Sequence, residues 1–240
     1  MGVDVVPLFY NRISLSGRVK TPIRLSLDDT PMILISGATG SGKTYAIRYL
    51  LAKIVKHLPE IKITIIDFKQ YDFVDFSDTS RYYGYDNAFD GLVDFDSEFK
   101  ARQSEKASPG CKYSRIVLLF DEWSAFLAGL DKKKADEAKA ILQRILSLGR
   151  IYSVNVICGM QRADSSNFSV GSRDNFGVVI LMGQGSQEQN RMLLSDYTDQ
   201  LLPCGRGQGH MVIAGQGLKH IVVPSYDRKK ADEYIRKAMV

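Results

Sequence analysis

The chain has 240 residues, 45% of them apolar, and a formal net charge of +5. That length suits one large α/β domain, or a domain with a small extension, and buries enough surface to need no disulfide staples. No run of about 20 apolar residues exists, which excludes a membrane-spanning helix. Cys111, Cys158 and Cys204 are far apart and odd in number, and His57, His210 and His220 form no ligand cluster. Neither a zinc site nor a disulfide framework follows, the histidines read as ordinary surface or edge residues, and a reducing cytoplasm is the expected setting.

In chain order, the N-terminus lacks a basic stretch followed by a long apolar core, so a signal peptide is not expected. Residues 1–30 read as an N-terminal β extension with short pieces at Val3 to Val6, Ile13 to Leu15 and Ile23 to Leu27. Residues 31–240 read as the main domain. Apolar strands are predicted at Met32 to Ser36, Ile61 to Ile66, Arg115 to Phe120, Val154 to Cys158 and Val178 to Met182. Such continuous apolar runs suit a parallel sheet covered on both faces. Helical patterns alternate with them at Lys43 to Leu58, Ala88 to Gln103, Lys132 to Leu148 and Gln187 to Leu194. In the third, Ala138, Ile141, Leu142, Ile145 and Leu146 make one apolar face. A hairpin is predicted from His210 to Ile213 and Lys219 to Val223 through Gly215-Gln216-Gly217, then a closing helix from Asp227 to Met239. The alternation gives an α/β fold, a doubly wound, mostly parallel sheet with helices on both faces.

The charge is uneven. Residues 71–98 hold eight acids and one arginine, a net −7, which leaves +12 on the rest of the chain and suggests a polyanionic partner for it. Residues 68–99 also hold ten aromatics. Their acidic surroundings repel phosphate, so core packing or a protein interface is expected there rather than base stacking.

Gly37-Ala38-Thr39-Gly40-Ser41-Gly42-Lys43-Thr44 follows a predicted strand and opens a predicted helix. That context makes it a P-loop. Backbone N–H groups of Gly37, Ala38, Thr39, Gly40, Ser41, Gly42, Lys43, Thr44 and Tyr45 are expected around the phosphates of ATP. The helix N-terminus supplies partial positive charge. Lys43 is expected on the β/γ-phosphates and the Thr44 hydroxyl on Mg²⁺. Arg115 to Phe120 is an apolar strand ending in Asp121-Glu122. Asp121 is expected to hold Mg²⁺ and Glu122 to act as general base on water, which favours hydrolysis over transfer to a bound acceptor. A third strand, from Val154, ends at Gln161. Lying between the other two, it would put Gln161 near the terminal phosphate or the attacking water.

These segments, with Ile66-Asp67-Phe68-Lys69, Asp121 to Leu127, Leu148-Gly149-Arg150 and Met160-Gln161-Arg162, resemble the FtsK/SpoIIIE branch of the FtsK–HerA family from about Pro31 to about Val223. The resemblance implies a RecA-like P-loop core, ATP with Mg²⁺, a homo-hexameric ring that pumps DNA, and sites shared between neighbouring subunits. It matches Gln161 to a sensor glutamine and Lys69 to the lysine of an Asp-Pro-Lys segment, with Phe68 in place of the proline. Arg191 and Arg173 match family arginines and are the two candidates for a finger supplied to the next subunit. A further family arginine is replaced at about Val179. The resemblance also points to channel-facing loops for DNA phosphates. The hairpin around Gly215 to Lys219 and the loop Ser165 to Arg173 are the candidates, with Lys219, Arg206 and Arg173 as contacts.

The function expected is an ATP-hydrolysing DNA translocase, on double-stranded DNA first, serving a plasmid, integrative element or phage, with a relaxase, replication or membrane-channel partner. Alternatives are a nucleotide-gated adaptor with weak ATPase and a motor on single-stranded DNA. A P-loop kinase or an ABC-type ATPase is less well supported, since neither an arginine-rich lid nor a Leu-Ser-Gly-Gly-Gln-like signature is present.

Overall fold

The computed structural model describes residues 5–16, 20–105, 113–162, 164–168 and 173–240. Ten strands form one sheet: β1 (Val5–Asn11), β2 (Pro22–Ser26), β3 (Met32–Gly37), β4 (Lys62–Asp67), β5 (Tyr82–Tyr83), β6 (Ile116–Asp121), β7 (Val154–Met160), β8 (Val178–Met182), β9 (Gln208–Ile213) and β10 (Gly217–Val222). The helices are α1 (Arg12–Ser16), α2 (Lys43–His57), α3 (Ala88–Ser104), α4 (Trp123–Ala128), α5 (Lys132–Leu148), α6 (Gln187–Leu194) and α7 (Arg228–Lys237).

The strand order is β2-β1-β10-β9-β8-β3-β7-β6-β4-β5. From β8 to β5 every pairing is parallel, and from β8 outward through β9, β10, β1 and β2 every pairing is antiparallel. The predicted α/β class, with a mostly parallel sheet and helices on both faces, is what the chain adopts. Strands β3, β6 and β7 are buried at every position, as continuous apolar runs in a two-faced sheet require. One core lies between the sheet and α2 with α7, and the other between the sheet and α3, α4 and α5.

Two sequence expectations are corrected, and a third falls on undescribed residues. Ile13 to Leu15 lies in helix α1, not a strand: the Asn11 side chain accepts from the Ile13 N–H at 2.9 Å and turns the chain. Val3, in the first predicted piece, falls outside the described residues. His210 is not a surface residue but is 4% exposed, and its ring lies against that of its cross-strand partner His220.

The acidic, aromatic segment packs as expected. Phe73, Phe76, Phe95 and Phe99 are fully or almost fully buried. Its carboxylates meet arginines from distant helices: Asp75 pairs with Arg228 at 2.6 Å, Asp78 with Arg236 at 2.6 Å, and Asp96 with Arg144 at 2.5 Å. Arg48 of α2 is buried between Asp232 and the Asp72 carbonyl and stands over the Phe73 and Phe76 rings. Helix α7 thereby binds the segment after β4 to the helix that begins at the P-loop.

His210 pins the segment that leads into β9: its Nε2 accepts the Leu202 N–H at 3.0 Å. Burial, then the neighbouring His220 and Arg12, push its pKa down from 6.5 to about 4. The unfolded chain therefore takes up a proton that the folded chain refuses. This stability is fully present above pH 6.5 and is lost as pH falls toward 4, by about 3 kcal/mol at most. Urea titrations at pH 7 and pH 4.5 are expected to show a smaller loss for His210→Gln, whose amide oxygen can accept the same bond without titrating.

Candidate functional site

The P-loop connects the end of β3 to the start of α2. Ser41 N–H donates to the Ala38 carbonyl at 3.0 Å, and Ala46 N–H begins the helix on Gly42 at 2.9 Å. Gly42 has φ +95°, and a Cβ there would stand 2.9 Å from the Gly207 nitrogen, so only glycine fits both the turn and the approach. Ala38, Thr39 and Gly40 are exposed, and Thr44 is half-buried.

The sheet order explains how residues far apart in sequence meet. Strand β7 lies between β3 and β6, so its last residues end between the P-loop and Asp121-Glu122. Lys43 crosses that gap. Its Nζ lies 2.6 Å from Asp121 Oδ1 and 2.7 Å from Glu122 Oε1, with all three residues buried. Burial alone would lower the Lys43 pKa, but the two carboxylates outweigh it and raise it. Burial pushes the Asp121 pKa up to about 6, against the pull of Lys43. Glu122 has φ +63°, a left-handed residue at the start of α4, which turns its carboxylate back over the strand ends.

A cavity of about 1090 Å³ opens beside this cluster, lined by Thr39, Lys69, Glu122, Gln161 and Arg162 among others. Lys69 Nζ lies 3.4 Å from Glu122 Oε2, so each oxygen of Glu122 faces a lysine. Two residues before Lys69, Asp67 Oδ2 accepts the Phe73 N–H at 2.9 Å and the Tyr82 hydroxyl at 3.3 Å. Gln161 is half-buried, and its carbonyl accepts from Gln189 Nε2 at 2.9 Å. Gln189 also completes a capping box with Ser186, which fixes the α6 N-terminus at the cavity wall. The loop after β7 is tied to α4: Trp123 Nε1 donates to the Asn167 carbonyl at 2.8 Å, and Ser124 Oγ donates to the Arg162 carbonyl at 2.9 Å.

Thus Lys43, Asp121 and Glu122 meet directly, Gln161 shares the cavity wall with Glu122, and Thr44 follows Lys43 in the first turn of α2. Arg191 is exposed on α6 and does not line the cavity. The Arg173 side chain and much of the loop Ser165 to Arg173 lie outside the described residues. Lys219 is half-buried on β10. Arg206 is exposed, and its Cγ stands 3.9 Å from where a Gly42 Cβ would be, which places it at the P-loop. Sequence reasoning gave no role to Arg162 and only a family match to Lys69. The Met160-Gln161-Arg162 string carried a signal for the first, and the strand-end Asp67-Phe68-Lys69 for the second.

The site fits a magnesium–nucleotide phosphate. Asp121 Oδ2 is buried without a partner among the described residues, on a carboxylate held by Lys43, and Thr44 follows Lys43 at the end of the glycine-rich turn. Mg²⁺ takes such hard oxygen donors and needs only one or two from protein when phosphates supply others. No cluster of three or more His, Cys, Asp or Glu placed to hold a metal exists among the described residues.

Comparison with known proteins points the same way. The family described as the central domain of the helicase HerA matches residues 14–146, more than half of the chain. The FtsK domain-containing protein YdcQ of Bacillus subtilis is 27% identical over 72% of this chain and 38% of its own length. The DNA translocase FtsK of Staphylococcus epidermidis is 23% identical over 82% of this chain and 27% of its own. The chain thus spans well under half the length of these relatives. Among solved structures, the pCW3 conjugation coupling protein TcpA, in monomer form with ATPγS, superposes with a TM-score of 0.73 at 20% identity over 98% of this chain and 70% of that one. The cytoplasmic domain of the type VII secretion ATPase EccC of Thermomonospora curvata gives 0.73 at 18% identity over 99% of this chain and 31% of that one.

Gly159 of β7 tests the geometry. A Cβ there would stand 2.5 Å from Asp121 Oδ1. Gly159→Ala is expected to displace Asp121 from Lys43, with a loss of about 2 kcal/mol in urea unfolding and a fall in nucleotide affinity measured by calorimetry. Unchanged stability and affinity would show that the cluster tolerates a shifted Asp121.

Proposed function

The chain belongs to the family of the HerA helicase central domain, within the HerA–FtsK group of P-loop ATPases, and on that footing we propose that it is an ATP-hydrolysing motor that moves DNA. The observation that carries this reading is Lys43 joined to Asp121 and Glu122, with Gln161 delivered to the same cavity by the strand between them. In this reading residues 31–240 are the motor and residues 1–30 an extension of it, acting in the cytoplasm. No helix among the described residues is long and apolar enough to cross a membrane.

Thr44 and Asp121 would hold Mg²⁺, which neutralises phosphate charge as it develops during hydrolysis. The nine residues Gly37 to Tyr45 cradle the phosphates through backbone N–H groups. Lys43 exchanges its carboxylate partners for phosphate oxygens, which frees Glu122 Oε1 to accept a proton from water. Gln161 orients that water and, through Gln189, reports on it to α6. Lys69 keeps Glu122 pointed at the cavity. Arg191, exposed and outside its own chain's cavity, suits a finger given to a neighbouring copy in a homo-hexamer, with Arg173 as the alternative. The net +12 outside residues 71–98, with Lys219 and Arg173 among it, suits phosphate contacts to double-stranded DNA. A relaxase, replication or membrane-channel partner fits a motor of this type.

ATP turnover measured with and without long duplex DNA tests the proposal. Several-fold stimulation by duplex is expected. Stimulation by single strands alone would reassign the substrate, and DNA-independent turnover without DNA binding at low salt would overturn the motor. Glu122→Gln is expected to keep ATPγS binding and lose at least about 100-fold in turnover, whereas Lys43→Ala loses binding or turnover. Arg191→Ala is expected to bind nucleotide normally and to regain turnover when mixed with Lys43→Ala; no recovery would remove Arg191 from the finger role.

A further inference from the structure

The segment Leu201 to Gly207 is held on all sides. Leu202 N–H donates to His210 and Cys204 N–H to Gln184 Oε1 at 3.1 Å, while the Pro203 carbonyl accepts from Arg12 at 2.6 Å. Gly207 then meets the P-loop directly: its N–H donates to the Ser41 carbonyl at 2.9 Å, and its own carbonyl accepts from Val223 N–H at 2.9 Å. Arg206 is thus fixed beside Gly42 by the backbone on each side of it. Its guanidinium has no hydrogen-bond or ion-pair partner among the described residues and is exposed. A guanidinium so placed, next to a turn built for phosphate, offers a planar pair of donors for phosphate oxygens. Within the loop, the Ser41 Oγ is buried and without a partner among the described residues.

The position along the nucleotide follows from what lies at each end. Glu122, Gln161, Ala38 and Thr39 line the cavity where the terminal phosphate is expected, and neither Gly42 nor Arg206 does. On the Gly42 side, Tyr45 and Tyr226 lie with ring centroids 4.4 Å apart. They are locked by Tyr45 hydroxyl to the Pro224 carbonyl at 3.2 Å and by Tyr226 hydroxyl to the Tyr45 carbonyl at 3.0 Å. Pro224 follows Val223, the residue bonded to Gly207, so these rings and Arg206 share one neighbourhood. None of Gly42, Tyr45, Tyr226 and Arg206 lines the cavity that holds Glu122 and Gln161.

We propose that Arg206 is a nucleotide-binding residue of its own chain, taking the phosphate nearest the ribose, rather than a DNA contact. The inference rests on the ATP reading above. Calorimetry with ADP and with ATPγS, each with Mg²⁺, tests it on the full chain. Arg206→Ala is expected to weaken both nucleotides equally, by about tenfold or more, and Arg206→Lys to recover part of the loss. The salt dependence of duplex binding is expected to stay as in the wild type. Intact nucleotide affinity with a salt slope smaller by about one would make Arg206 a DNA contact and overturn the proposal. A loss confined to ATPγS would move Arg206 to the terminal phosphate and overturn it equally. Lys43→Ala separates the two readings. Binding lost there but kept in Arg206→Ala sinks only the Arg206 inference, whereas a wild-type chain that binds neither nucleotide sinks the ATP reading itself.

Discussion

A buried lysine shared by two carboxylates is the constraint from which the rest of this structure follows. Lys43 bridges Asp121 and Glu122 where all three are buried, and an ion cluster of that kind is costly unless its geometry is kept. Keeping it fixes the ends of β3 and β6 across the width of β7. It demands a glycine at position 159, a left-handed backbone at Glu122 and a tight turn at Gly42. Lys69 stands on the other oxygen of Glu122, so the cluster is open on the cavity side, where a phosphate would enter. Stability and chemistry therefore draw on one set of atoms.

Much of this was legible in the chain. The P-loop, the strand-end acids and the five parallel strands announced themselves because buried strands must be apolar throughout and a phosphate turn must be rich in glycine. Helix α5 was legible from its apolar face and runs from Lys132 to Leu148 as predicted, with the Asp131 side chain accepting from the Lys134 N–H. The two-residue strand β5 was not foreseen, because Tyr82-Tyr83 carries no period and pairs only where β4 offers an open edge. Helix α1 was hidden by the apolar alternation of Ile13 and Leu15, which the Asn11 turn overrides. The nearness of Arg206 to the P-loop was not legible in the chain, since it is set by a backbone bond between Gly207 and Ser41.

The acidic stretch shows why charge blocks need a three-dimensional reading. Its net −7 invites a search for an external basic partner, yet Arg48, Arg228 and Arg236 of the same chain supply much of the answer. Several of these pairs lie at the surface and add little individually, but Arg48 is buried and stacked on two phenylalanines, so the cluster as a whole orients α7 against α2.

The free edge of the sheet beside β4 has a quieter consequence. Strand β5 covers only Ile65 and Ile66 there, and the Ile63 N–H, which would otherwise be open, donates to the Ala238 carbonyl at 2.7 Å. The end of the chain thus serves as a stopper on that border. Along β4 itself, this leaves no long run of open amides for another strand to extend.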